Sequence, residues 1–186
     1  MATRSSVESG QLLLAEPYMI DPNFRRSAVL LCEHDEEGTV GLVLNKMTDI
    51  KLNEMVTGMP PFETFVYLGG PVSHDSLFFI HDLGDLLEGS REVAKGIWWG
   101  GDSENLNFLI SSGLVEPHRI RFFVGCAGWS PGQLEEEMET GSWVISPMDA
   151  NYAFNSSPAE LWSQAMFNKG NRYEIIADIP EYVSWN

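Results

Sequence analysis

The segment GCAGWSPGQLEEE, residues 125–137, holds the side chains whose types and spacing are best suited to chemistry. It reads as a strand end, a glycine-rich turn and a helix start, in which Ser130 is suited to cap the helix and Gln133 to accept the N–H of the cap. The turn would place the thiol of Cys126 and the indole of Trp129 at a helix N-terminus, where backbone N–H groups favour negative charge. The segment is therefore the best candidate for a functional surface.

The thiol of Cys126 permits two interpretations. A helix N-terminus can lower a thiol pKa and create a nucleophile, but the residue precedes the cap by a full turn and the G-x-S-x-G spacing is absent. An inert thiol in the core is the favoured interpretation. The glycines Gly125, Gly128 and Gly132 match neither a dinucleotide nor a Walker phosphate loop, which favours a tight turn that packs Trp129.

Histidines and carboxylates end two of the predicted strands. Glu33 and His34 end one strand, and His81 and Asp82 end another. If these ends adjoin, they form an acid–base site with His34 or His81 as general base, whereas solvated strand ends are the simpler interpretation. The weak catalytic candidates are thus Glu33, His34, His81 and Cys126. No pair has the spacing of metal ligands, so we expect no metal and no cofactor.

The hydrophobic pattern predicts more strands than helices. The predicted strands cover 11–15, 27–33, 39–44, 64–68, 76–81, 93–99, 119–124, 143–146 and 173–179. Helices are predicted over 49–56 and 102–112, after Ser130, and from 157 to a stop at Gly170. Strands in hairpin-like pairs favour an α+β fold with a mostly antiparallel or mixed sheet. We expect one domain over 1–186, with residues 1–9 frayed.

Composition narrows the classes of function. Eleven Lys and Arg residues against 27 Asp and Glu give a formal net charge of −16, which disfavours nucleic-acid binding because that binding depends on cations neutralising phosphates. The negative field suits a basic protein partner. Two cysteines far apart, and an N-terminal apolar run too short for a signal or a membrane span, predict a cytoplasmic protein that does not bind membranes.

The motifs GQLLLAEP (10–17), FRRSAVLLCEH (24–34), GTVGLVLNK (38–46), VYLGGPV (66–72) and RFFVGCAGWSPGQLEEE (121–137) occur in an order that resembles the YqgE/AlgH family of small bacterial proteins. The resemblance implies an α+β fold with a branched, mostly antiparallel or mixed sheet, a small barrel-like core and flanking helices. It implies no activity, because the family is largely uncharacterised. One member is named as a regulator of alginate synthesis, and most members carry an aromatic residue at the position of Cys126.

The polar residues within these motifs, together with Trp129, form the predicted site. The residues predicted to bind a ligand or partner are Arg25, His34, Asn45, His81, Trp129, Ser130 and Gln133. A turn-forming role is an equal alternative for Asn45. The leading hypothesis is a cytosolic binding or regulatory module that contacts a protein or a small ligand. The alternatives are a hydrolase or transferase with a His34/His81 site, and a DNA-linked transcriptional regulator, which the net charge disfavours.

Overall fold

A branched sheet of ten strands with helices on its faces forms the fold of residues 6–181, the part of the chain that the computed structural model describes. The strands are β1 Leu12–Ala15, β2 Ala28–Asp35, β3 Gly38–Val43, β4 Met47–Lys51, β5 Phe65–Leu68, β6 Val72–His81, β7 Arg91–Ala94, β8 Ile97–Trp99, β9 Ile120–Trp129 and β10 Trp143–Ser146. The helices are α1 Leu52–Met55, α2 Ser103–Ser111, α3 Gln133–Glu139, α4 Ala150–Phe154, α5 Leu161–Lys169 and α6 Arg172–Ala177, with 3₁₀ turns at Gly84–Leu86 and Pro117–Arg119.

The sheet branches at β9. Its strand order is β10-β1-β2-β3-β9-β6-β8-β7, and β4 pairs with β5, which in turn pairs with β9. Along one side of β9, β5 pairs in parallel with 122–124 and β3 pairs antiparallel with 127–129. On the other side, β6 pairs antiparallel with 120–126. The fold is therefore α+β with a branched, mostly antiparallel sheet, but the expected barrel-like core is wrong, because the sheet is not closed into a barrel.

Three glycines permit the branch. The chain passes from β5 on one side of β9 to β6 on the other through Gly69 and Gly70, and the Gly69 N–H donates to the Val124 oxygen at 2.9 Å. A Cβ at Gly70 would overlap the backbone of Cys126, and one at Gly125 would lie 2.8 Å from the Gly70 oxygen. Both glycines also have positive φ, at +156° and +71°, where other residues are strained.

Alternation along the strands divides the core between the two faces of the sheet. Leu12, Leu14 and Leu30 point to the face that α5 covers, where they pack with the buried Trp162. Their neighbours along the strands point to the opposite face, where Leu134 of α3 closes a second cluster. A third cluster lies beneath α1 and α2. The strands therefore bury apolar side chains on both faces of the sheet, although the sheet does not close into a barrel.

The outer margin of the sheet at β10 is covered by a lysine. Lys169, the last residue of α5, donates from Nζ to the Ile145 oxygen at 2.6 Å. The indole of Trp162 in the same helix donates to the Ala15 oxygen at 2.9 Å. These two bonds join α5 to neighbouring strands at the margin.

Several predicted elements differ from the structure. The strand expected over 173–179 is wrong, because α6 (Arg172–Ala177) forms there and presents Tyr173 and Ile176, three residues apart, to the core. The strand expected over 93–99 is interrupted by Gly96, whose φ of +75° lets β7 and β8 form a hairpin. The helix at 102–112 is confirmed, with the Asp102 carboxylate accepting the Asn105 N–H at 2.7 Å.

The start of α3 combines a confirmed contact with a displaced boundary. The Ser130 N–H donates to Gln133 Oε1 at 3.0 Å, as expected, but the first helical residue is Gln133. The cap position therefore falls on Gly132, and the predicted cap at Ser130 is wrong. Cys126 and Trp129 therefore lie within β9 and not in a turn at the helix end. Of the expected frayed stretch 1–9, residues 1–5 lie outside the described residues, and Ser6 and Glu8 form hydrogen bonds with Gln11.

Substitution of Gly70 tests the crossing. We expect Gly70→Ala to lower the free energy of unfolding by about 2–4 kcal/mol, since the new Cβ overlaps backbone and the φ is positive. Gly128→Ala, on β9, is the matched control, because its Cβ would meet only the Val72 side chain at 3.5 Å. Urea denaturation measures both; equal losses would contradict the crossing as described.

Candidate binding site

Trp129 lies in an aromatic cluster on the face of the sheet that α3 covers. Its ring stacks on Phe24 at a centroid distance of 6.0 Å and meets Trp143 edge to face at 5.9 Å, while Phe24 meets Trp143 edge to face at 5.4 Å. Phe24 comes from the loop between β1 and β2, and Trp143 begins β10. Pairs of this geometry each add about 0.5–1.5 kcal/mol beyond area burial, so the cluster fixes a loop against two strands.

Glu137 of α3 accepts hydrogen bonds from both indoles. Its Oε2 accepts from Trp129 Nε1 at 3.0 Å and from Trp143 Nε1 at 2.8 Å, and its Oε1 accepts from Gln133 Nε2 at 3.0 Å. Gln133 and Glu137 are four residues apart and so share one helix face. Because Gln133 also accepts the Ser130 N–H, one series of hydrogen bonds joins the helix start to the aromatic cluster.

A cleft of about 440 Å³ opens beside this cluster. We call it the aromatic cleft and define it by Tyr18, Ile20, Phe24, Trp129, Glu137 and Trp143. Tyr18 and Ile20 belong to the loop after β1, and their side chains are 65% and 93% exposed. The aromatic cleft therefore combines a base of packed rings with apolar side chains that water surrounds.

The structure brings part of the predicted site together. Trp129 and Gln133 line the aromatic cleft, and Ser130 joins them through its backbone N–H. Arg25 follows Phe24 in the same loop, and its Nε lies 3.4 Å from Glu181 Oε1.

Asn45 contacts backbone instead of the cleft. Its Oδ1 accepts the Ala28 N–H at 3.0 Å, and its Nδ2 donates to the Arg26 oxygen at 2.8 Å. The residue thus joins the end of β3 to the start of β2 through contacts that are distant in sequence, and not through a local turn.

The two candidate histidines lie near opposite ends of β9. His34 Nδ1 is 2.7 Å from Thr39 Oγ1, and Thr39 is the pairing partner of Trp129. His81 pairs with Ile120 at the other end. Nine strand residues at about 3.3 Å each separate these positions by about 30 Å. The structure does not bring His34 and His81 together, since the strand ends that carry them do not adjoin.

Both ring nitrogens of His81 have backbone partners. Nε2 donates to the Gly100 oxygen at 2.9 Å, and Nδ1 accepts the Leu83 N–H at 3.2 Å. The side chain is fully buried, and burial lowers its pKa, although the Gly100 hydrogen bond opposes the shift. His81 is thus a neutral residue that fixes the loops after β6 and β8.

The other catalytic candidates also have separate partners. Glu33 Oε1 lies 3.0 Å from Arg91 Nη2, and His34 Nε2 lies 3.3 Å from Glu135 Oε1 on α3. Cys126 is buried in the core, and burial raises its pKa against the opposing effect of a Ser73 hydrogen bond. A raised pKa keeps the thiol protonated at neutral pH and so unreactive as a nucleophile.

Residues 6–181 offer no cluster of three or more His, Cys, Asp or Glu side chains able to hold a metal ion. Within the same range, no helix has the length and apolar composition needed to cross a membrane.

Sequence reasoning missed most of the cleft. Phe24, Glu137 and Trp143 were not predicted as site residues, nor were the exposed Tyr18 and Ile20. One local signal was available for Glu137, because it follows Gln133 by four residues on a predicted helix. The three aromatic residues lie far apart in sequence, so no spacing indicates their contact.

The model of the family described as AlgH-like, DUF179, matches residues 12–174. This chain belongs to the AlgH-like family.

Relatives of the AlgH-like chain match more than nine-tenths of its length. A UPF0301 protein of Chlorobium phaeobacteroides is 40% identical over 180 residues, which cover 97% of this chain and 96% of the relative. A UPF0301 protein of Cytophaga hutchinsonii is 38% identical over 172 residues, covering 92% and 94%.

Two solved structures resemble the AlgH-like chain. A crystal structure of a Corynebacterium diphtheriae protein has a TM-score of 0.77 at 24% identity, covering 95% of this chain and 94% of that one. The solution structure of the AlgH protein from Pseudomonas aeruginosa has a TM-score of 0.73 at 29% identity, covering 97% and 99%. The first match supports the α+β architecture described above.

Removal of the Glu137 carboxylate tests its role in the AlgH-like chain. We expect Glu137→Ala to lower the free energy of unfolding by about 2–4 kcal/mol, because it leaves two buried indole N–H groups without their acceptor. Glu136→Ala, on the exposed side of α3, is the control and should change stability by less than about 0.5 kcal/mol. Similar losses in urea denaturation would show that the carboxylate does not hold the indoles.

The pH dependence of stability tests the burial of His81. Because the folded-state pKa is lowered, the unfolded chain binds more protons below about pH 6.5, the ordinary histidine value. The free energy of unfolding should therefore fall as pH drops through this value. His81→Gln should show a smaller fall between pH 7.5 and 5 in denaturant titrations, whereas the exposed His118→Gln should match the unchanged protein. A wild-type slope in His81→Gln would refute the assignment.

Proposed function

We propose that this protein is a cytosolic binding or regulatory module that contacts a partner through the aromatic cleft. One observation carries the proposal: exposed Tyr18 and Ile20 stand beside a base formed by Phe24, Trp129 and Trp143. Aromatic residues dominate the binding energy of protein interfaces, and binding sites are concave with few polar groups. Glu137 and Gln133 supply such groups here.

The partner that suits this surface is a protein. The formal net charge of −16 repels nucleic acid and favours basic surfaces. The exposed apolar side chains at the rim match the contacts that a protein surface provides.

Substitutions of Tyr18 and Ile20, the exposed rim of the aromatic cleft, test the site better than substitutions of its buried residues. Trp129 is 5% exposed, so Trp129→Ala would remove core packing along with any binding. Tyr18→Ala combined with Ile20→Asp changes only exposed side chains. The matched control is Phe108→Ala with Ile175→Asp, at positions 63% and 75% exposed and outside the aromatic cleft.

Affinity capture from the protein's own cells, quantified by mass spectrometry, measures the effect. We expect the rim variant to lose specific partners by about tenfold or more, as hot-spot residues do, and the control variant to retain them. Circular dichroism and melting temperature establish that both remain folded. Full retention of every captured protein by the folded rim variant would refute the proposal.

A further inference from the structure

The last three residues of β9 have a strand partner on one side only. Ala127, Gly128 and Trp129 pair with β3, while the pairing of β6 with β9 ends at Cys126. Among the described residues, no strand pairs with the second side of 127–129. Gly128 is exposed, carries no side chain of its own and has no positive φ, and the Val72 side chain lies beside it. This short edge therefore has extended backbone that is open at Gly128.

Two cavities meet at this edge. The aromatic cleft lies on the face of the sheet to which Trp129 points. The second cavity, about 520 Å³ in volume, is lined by Val40 and Val72, which belong to the other face. We call it the acidic cleft and define it by Glu33, Asp35, Glu37, Val40, Val72 and Ser130. Both cavities include Gly128 and Trp129 in their linings, so each face of the edge has its own recess.

The charged side chains that line the two cavities are all acidic. Glu16, Asp21 and Glu137 line the aromatic cleft, and Glu33, Asp35 and Glu37 line the acidic cleft, whereas neither lining includes a lysine or arginine. Glu33 is paired with Arg91. Glu137 has only neutral donors among its described partners. Its Oε1 accepts one hydrogen bond, which leaves room for a second.

We propose that an extended basic segment of a partner protein adds to β9 at 127–129 as a further strand. This inference rests on the proposed function and names the partner's chemistry. Successive side chains of an extended segment point to opposite faces, so they enter the aromatic cleft and the acidic cleft in turn.

Strand addition fits the two-sided geometry of the site. Backbone hydrogen bonds to an open edge supply affinity, and pockets for alternate side chains supply specificity. An arginine stacks on aromatic faces and donates to carboxylates, which matches Phe24 and Glu137. A compact ligand would occupy one cavity and leave the edge between them unused.

Defined peptides test the proposal. The probe is an acetylated, amidated octapeptide in which pairs of arginines alternate with pairs of valines, so that both faces of the extended peptide carry arginine. One control peptide replaces each arginine with citrulline, which keeps the shape and removes the charge. A second control places proline at the centre, which removes a backbone donor and prevents strand pairing.

Two-dimensional ¹H–¹⁵N NMR reports the site directly. We expect the arginine peptide to shift the backbone amides of 127–129 and the indole N–H signals of Trp129 and Trp143 in a saturable manner. Both control peptides should bind about tenfold more weakly, the size of effect expected for the loss of one hydrogen bond. Equal binding of the citrulline peptide, equal binding of the proline peptide, saturable shifts confined to other surfaces, or no shifts would each overturn the proposal.

Variants that replace cleft carboxylates with amides of the same shape test the role of charge while leaving the fold intact. Glu16→Gln with Asp21→Asn, and Asp35→Asn with Glu37→Gln, keep the acceptors that bond to nearby N–H groups while removing charge, and each pair should weaken the arginine peptide. Gly128→Val adds a side chain over the edge and should abolish binding, whereas Gly128→Ala should retain most of it. Binding unchanged in Gly128→Val would also overturn the proposal.

The two proposals fail in different ways. If the peptides do not bind but the Tyr18/Ile20 rim variant still loses its cellular partners, the basic-strand inference is wrong and the binding module stands. If the rim variant keeps all its cellular partners while the arginine peptide shifts the amide signals of 127–129, the edge binds a basic segment without help from Tyr18 and Ile20.

Discussion

The close passage of the chain over β9 at Gly69 and Gly70 is the constraint on which the sheet depends. At this point two backbones approach within a distance that no Cβ permits. The crossing carries the chain from β5, on one side of β9, to β6 on the other. It also fixes where β6 begins, at Val72 opposite Cys126. The unpaired edge at 127–129 is thus a direct result of the same three glycines that allow the branch.

A second dependence concerns Glu137, which joins two aromatic side chains from different strands to one short helix. A half-buried carboxylate is expensive unless its oxygens are satisfied, and here two indoles and an amide satisfy them. All three donors are neutral. The negative charge is therefore stabilised without being cancelled, and it remains available to a cation that reaches the aromatic cleft.

Local signals predicted the local features of this chain. The Asp102 cap of α2 and the contact of Gln133 with the Ser130 N–H follow from spacing within one helical turn, and both are present. The segment 173–179 was misassigned because Tyr and Ile favour strands, whereas packing against α5 decided for a helix. The aromatic cluster joins residues 24, 129 and 143, and the separation of His34 from His81 depends on register along β9. These features depend on contacts between residues distant in sequence, which the spacing of residues along the chain does not indicate.

The bond from Lys169 to the Ile145 carbonyl has a consequence for self-association. Open sheet margins are templates on which identical chains pair, and lysine is one of the residues that prevents this. At β10 the ammonium group already occupies an acceptor that an approaching strand would need. Two copies meeting margin to margin would also oppose their lysines there. The molecule thereby resists edge-to-edge aggregation at β10, the outermost strand at this end of the sheet.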